Sequence, residues 1–168
     1  MDKTNGILYQ DLPQIRQLLK NGQLNVCVVG IGRIGLPTAL SIANSNLTTI
    51  GVDINENLVN MINSGNFPLK DEPGYDEIFQ TVIKNKKFSA TTNIEEVVPK
   101  ADAILLSLPT PMDENKNPNY AALESVGKKL HDIISKGTIV IIESTVEPGY
   151  IENTFLKFLE GNDSSLVV

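Results

Sequence analysis

Six short runs rich in Val, Ile and Thr recur along the chain, and the gaps between them are long enough to hold helices. They are NVCVVG (25–30), LTTIGVD (47–53), KFSATT (87–92), DAILLSLP (102–109), GTIVIIEST (137–145) and SSLVV (164–168). Most are almost continuously apolar, which suits strands covered on both faces rather than strands with one wet side. Helix-compatible stretches fill 34–45, 55–64, 75–85, 94–99, 120–135 and 150–160. In the fifth of these, Leu123, Val126, Leu130, Ile133 and Ile134 keep near-helical spacing and offer one face to a sheet. Strands alternating with helices imply right-handed crossovers. The predicted fold is therefore α/β: a Rossmann-like, doubly wound, mostly parallel sheet. The first 24 residues stand outside that pattern. Leu12, Ile15, Leu18 and Leu19 share one helical face and NGQ stops the run, so 1–24 is read as an extra N-terminal helix and 25–168 as the domain.

The first strand runs directly into GIGRIG (30–35). A GxGxxG string alone is weak evidence, because glycine is common and the pattern short. Its setting adds weight: a strand before it, a helix after it, and a second strand that ends in Asp53, close to the roughly 20 residues expected after the glycines. In a dinucleotide cradle Gly30 makes the sharp turn, Gly32 lets a phosphate approach the backbone, and Gly35 lets the helix pack against the strand. The helix starting near Ile34 would aim its free N–H groups at a pyrophosphate. Asp53 would bond a ribose diol and disfavour a 2′-phosphate, selecting NAD over NADP; alternatively it caps the helix that begins near Asn55. No GxxxxGK[ST] string is present, which disfavours a nucleoside triphosphatase.

Composition narrows the remaining classes. The net charge is −6 and the longest basic cluster is Lys84, Lys86 and Lys87, so no partnership with nucleic acid or an anionic membrane is expected. The N-terminus lacks the basic-then-apolar order of a signal peptide, and no apolar run approaches the roughly 20 residues that span a bilayer. Together with a single cysteine this points to the cytoplasm. Cys27 lies inside the first strand, where a buried, unreactive thiol is expected. His131 is the one histidine and reads as a helix-surface residue, with no metal site. Glu72 and Glu143 read as a turn residue and a strand-end charge rather than a catalytic pair.

Three further stretches carry more than a generic Rossmann pattern: MINSGNFPLKDEPGYDEI (61–78), LPTPMDENKNPN (108–119) and ESTVEPG (143–149). With GIGRIGLP and VDIN, they resemble the NAD-binding domain of the UDP-glucose/GDP-mannose dehydrogenase family, the nucleotide-sugar 6-dehydrogenases. That family carries a GxGYxGLP loop, an NxGxxPxxEPG segment, a VPTP turn and an STVxPG turn. The wording of RIGLPTA and GVDIN leans toward its UDP-N-acetylmannosamine branch over UDP-glucose.

The resemblance implies a cofactor set of Gly30, Gly32, Arg33, Ile34, Gly35, Asp53, Thr110, Ser144 and Thr145, with NAD as the cofactor. Thr145 matches a threonine near the nicotinamide that helps hold the active-site water. The plain alternative for the hydroxyls of Thr110 and Thr145 is that they satisfy turn backbone groups. Arg33 departs from the family tyrosine, and either adds a cation near the phosphates or projects into solvent. Tyr150 and Ile151 stand where many members carry hydroxyl residues. Family members oxidise the C6 alcohol of a nucleotide sugar to a carboxylate with two NAD, through a thiohemiacetal and thioester on a cysteine. The resemblance places that cysteine, and the SPE segment before it, after Val168. The chain is thus expected to be the NAD-binding half, with the central and C-terminal domains absent, binding NAD without turnover. Relatives dimerise through a central helical region outside this chain, which is compatible with a monomeric fragment. Two alternatives are an NAD-sensing regulatory module and a β-hydroxyacid dehydrogenase of the 6-phosphogluconate type. The substrate-loop serines and glycines of that last type are missing from LPTPMDEN and ESTVEPG.

Overall fold

The computed structural model describes residues 6–160. The sheet has five strands, β1 (Asn25–Val29), β2 (Thr48–Val52), β3 (Phe88–Thr91), β4 (Ala103–Leu106) and β5 (Ile139–Ile142), in the order β3-β2-β1-β4-β5. Every pairing is parallel. The helices that cross between strands are α2 (Gly35–Asn44), α3 (Glu56–Asn63), α4 (Tyr75–Lys84), α5 (Ile94–Val97) and α6 (Ala121–Ile133). The doubly wound sheet read from the sequence is therefore the observed one.

Alternation along β1 explains why its sequence is apolar without a break. Val26 and Val28 face a core built with Leu36 and Leu40 of α2, Ile62 of α3 and Phe79 of α4. Cys27 and Val29 face the opposite core, with Ile104, Leu106, Leu123 and Leu130. A central strand with helices on both sides has no solvent face to make polar. The outer edge of β3 is closed by a side chain. The Asn63 amide donates to Ala90 O (2.8 Å) and accepts from Ala90 N (3.0 Å), pairing as a further strand would.

Three elements differ from expectation. Helix α1 (Leu12–Lys20) forms, with an Asp11–Gln14 capping box, but none of its residues is buried, and Leu12 is 69% exposed. The segment expected as one helix over 94–99 ends as α5 and continues as a 3-10 turn, Val98–Lys100, because Pro99 has no N–H to give. The segment over 150–160 begins with a π-helical turn, Ile151–Phe155, before α7 (Leu156–Glu160). Strands β4 and β5 also stop earlier than their apolar runs, at Leu106 and Ile142, and the residues beyond them turn into loops above the sheet. The expected strand SSLVV (164–168) lies outside the described residues.

Candidate functional site

A cleft of about 740 Å³ opens above the carboxyl ends of β1, β2, β4 and β5. Between β1 and β4 the crossovers change direction, and doubly wound sheets place their ligands at that switch point. The glycine loop forms one wall. Gly30 has φ +87°, and a Cβ on it would lie 2.5 Å from Ser107 O; a Cβ on Gly35 would collide with Gly30 O. Both glycines are thus required by the protein's own packing. Gly32 differs: a Cβ there would meet nothing within 4 Å, and the residue borders the cleft. Ile34, at the N-cap of α2, supplies no side-chain cap, so this helix presents an uncapped positive end to the cleft.

Asp53 does not cap α3. Asn55 does, accepting from Leu58 N at 3.2 Å. The Asp53 carboxylate instead accepts Ile31 N through Oδ2 (3.1 Å) and Asn55 N through Oδ1 (3.0 Å). It therefore tethers the glycine loop to the end of β2 while bordering the cleft, and each oxygen keeps a lone pair for a further donor.

The loops after β4 and β5 are tied to each other. Ser144 Oγ donates to Leu108 O (2.7 Å) and accepts from Leu108 N (2.9 Å), while Thr110 Oγ1 donates to Thr145 O (3.0 Å). Both hydroxyls answer backbone groups, which for Thr110 is the plain alternative, and they give the cleft its shape. Thr145 borders the cleft with a hydroxyl that has no hydrogen-bond partner among the described residues. Glu143, also on the cleft, accepts from Thr38 Oγ1 of α2 at 2.7 Å.

Arg33 borders the cleft, and its side chain does not project free. Its Nη2 bonds Asp71 Oδ2 (2.7 Å) and Glu72 Oε1 (3.2 Å) in the loop before α4. Glu72 and Glu143 consequently have separate partners. Burial pushes the Cys27 thiol up to about 12, which removes it as a nucleophile. His131 is exposed on α6 and its Nδ1 lies 2.9 Å from Leu159 O, linking α6 to α7. Among the described residues no group of three or more His, Cys, Asp or Glu could hold a metal, and no helix is long and apolar enough to cross a membrane.

Ile54, Ala122, Ser125 and Lys129 join the cleft without having been expected there, and Val126, expected to face the sheet, also borders it. Ile54 is 98% exposed at the cleft mouth, directly after Asp53. Ala122, Ser125, Val126 and Lys129 present a face of α6 to the same space. Their i, i+3, i+4, i+7 spacing is the sequence signal for this face, which runs beside the buried Leu123 and Leu130.

Comparison with known proteins agrees with this geometry. Residues 24–166 match the family model for the UDP-glucose/GDP-mannose dehydrogenase family, NAD binding domain. A UDP-N-acetyl-D-mannosamine dehydrogenase of Campylobacter jejuni is 41% identical over 142 residues, covering 84% of this chain and 33% of that protein. The enzyme of the same name from Salmonella typhimurium is 36% identical over 127 residues, covering 76% of this chain and 29% of that one. Among solved structures, the UDP-D-ManNAc dehydrogenase of Pyrococcus horikoshii superposes with a TM-score of 0.76 at 30% identity, over 83% of this chain and 32% of its own. The chain thus spans about a third of the length of these relatives. An uncapped helix end, an open glycine and a strand-end carboxylate on one cleft are a donor set that suits a dinucleotide. The chain belongs to the UDP-glucose/GDP-mannose dehydrogenase family and corresponds to its NAD-binding domain.

Proposed function

We propose that this domain holds NAD for a dehydrogenase that oxidises the C6 alcohol of a UDP-N-acetylmannosamine-type sugar to the carboxylate. The observation that carries the cofactor reading is the pairing of Gly32, whose missing side chain leaves the cleft open, with Asp53, whose carboxylate is fixed beside it by Ile31 N. The pyrophosphate would lie on Gly32 and the N–H groups of Arg33 and Ile34, at the positive end of α2. Gly30 and Gly35 shape that loop, and Asp53 takes the adenosine ribose hydroxyls. Thr110 and Ser144 hold the wall beside the cofactor, and the free hydroxyl of Thr145 orients the water or substrate group next to the nicotinamide. When bound, NAD supplies the hydride acceptor. The likeness to UDP-N-acetyl-D-mannosamine dehydrogenases supports the choice of sugar. The thiol nucleophile belongs to other parts of the full protein, which we place in the cytoplasm as a homodimer. Residues 25–168 are the cofactor unit and 1–24 an added helical segment.

Calorimetry of the chain with NAD and NADP tests the cofactor assignment. NAD should bind more tightly, and Asp53→Ala should weaken it by about 1–3 kcal/mol, the scale for losing a partly buried polar partner. Equal or tighter NADP binding, or an unchanged dissociation constant in the variant, refutes the assignment. The sugar is tested on the complete gene product by NADH formation with UDP-N-acetylmannosamine, UDP-glucose, UDP-N-acetylglucosamine and GDP-mannose. Turnover confined to one of the last three would replace the proposed substrate.

A further inference from the structure

Arg33, in the glycine loop, borders the cleft with a charged side chain that reaches out of it to the loop between α3 and α4. All its ionic contacts use a single nitrogen, Nη2, which meets Asp71 Oδ2 at 2.7 Å and Glu72 Oε1 at 3.2 Å. The two carboxylates come from the loop between α3 and α4, far from Arg33 in sequence, so the pairing is a feature of the fold. The contact does not serve the core. The Arg33 side chain is 65% exposed, Asp71 63% and Glu72 33%, and ion pairs of that exposure add little to stability. Two negative charges against one positive charge also leave this three-residue cluster net negative beside the cleft that Arg33 borders.

We propose that Arg33 is a pyrophosphate ligand held in reserve by Asp71 and Glu72, so that the acidic pair sets how tightly the domain binds NAD. This rests on the NAD reading of the cleft. The guanidinium is a planar fork of five donors, and Nε and Nη1 are not used by the acidic pair. Pyrophosphate oxygens at Gly32 would compete with the carboxylates for the same cation. Arg33 and Asp71 each favour the charged form through their mutual hydrogen bond, the Asp71 carboxyl held below its ordinary range and the guanidinium above its own, so both stay ionised during such an exchange. NAD entry would then exchange one anionic partner for another and release the loop that carries Asp71 and Glu72.

The test is a set of NAD titrations of the 168-residue chain at roughly 0.01 M salt, where exposed charges are least screened. The variants are D71N/E72Q, R33M and the three combined, and each is checked for an unchanged melting temperature. The proposal expects R33M to weaken NAD binding about threefold or more and D71N/E72Q to tighten it by a similar factor. It also expects the tightening to vanish when R33M is present. Plain repulsion of the cofactor by the acidic pair would keep the full gain on the R33M background, and that result overturns the proposal. So does R33M binding NAD as well as the wild type. In either case the NAD reading survives if the wild type binds. A wild-type chain that does not bind NAD refutes both.

Discussion

At Gly32 the demands of the protein and of its ligand separate. Gly30 and Gly35 are fixed by internal packing, since a methyl group on either would press on a neighbouring backbone carbonyl. Gly32 has no such neighbour and no positive φ, so alanine fits its backbone and loses less entropy on folding. The prediction is a dissociation of two properties. Gly32→Ala should keep or slightly raise the melting temperature, within about 0.5 kcal/mol of wild type, yet weaken NAD at least about tenfold. Gly35→Ala should lower stability by about 1–3 kcal/mol or more through overpacking. Thermal unfolding alongside calorimetry separates the two effects. Undiminished NAD affinity in Gly32→Ala would mean that no ligand passes over this glycine.

Among the elements, what could be read from sequence depended on whether local pattern or distant contact fixed the outcome. The five strands of the described residues, their parallel direction and the loop-to-helix turn followed from apolar runs alternating with helices and from three glycines, whereas the strand order, set by distant pairing, was not read. The site was legible in its glycines and in Asp53, but the function of Asp53 as a tether depends on Ile31 N, brought to it only by β1–β2 pairing. The early ends of β4 and β5 were not legible. They are set where Ser144 takes both backbone groups of Leu108 across the two loops, a contact between strands remote in sequence. Arg33 was ambiguous for the same reason, since its partners lie in another crossover. Tyr150 is the clearest case. Its position matches hydroxyl residues of the family, but here its ring is buried against Tyr120, with centroids 4.0 Å apart. Tyr120 OH accepts Glu147 N, whereas the Tyr150 hydroxyl is buried with no hydrogen-bond partner among the described residues. An orphan hydroxyl in a core costs free energy that a phenylalanine would not. Tyr150→Phe should stabilise the domain by about 1 kcal/mol in urea unfolding, with NAD binding unchanged. A loss of stability would show that the hydroxyl finds a partner in solution.

For the molecule as a whole, β1 is the strand around which everything else is built: it pairs with both β2 and β4 and contributes to both cores. Cys27 sits at its centre, fully buried, so its thiol reports on the global unfolding of the domain rather than on any local opening. Burial raises its pKa from 9.0 to about 12 in the folded state. The folded protein therefore keeps a proton that the unfolded chain has released between those values, and unfolding is favoured as pH rises through that window. The thiol's contribution is fully present below pH 9 and declines by about 1.4 kcal/mol per pH unit above it. Tyr150, also raised by burial, from 10.0 to about 12, acts with the same sign at the upper end of the window. Urea unfolding at pH 8 and pH 10 should show the wild type losing about 1.4 kcal/mol more than Cys27→Ala, after each is referred to its own stability at pH 8. The variant cancels contributions from lysines and tyrosines common to both proteins. Equal losses in the two would mean that the thiol ionises as readily in the folded domain as in the unfolded chain, and that β1 is not sealed between its two helical layers.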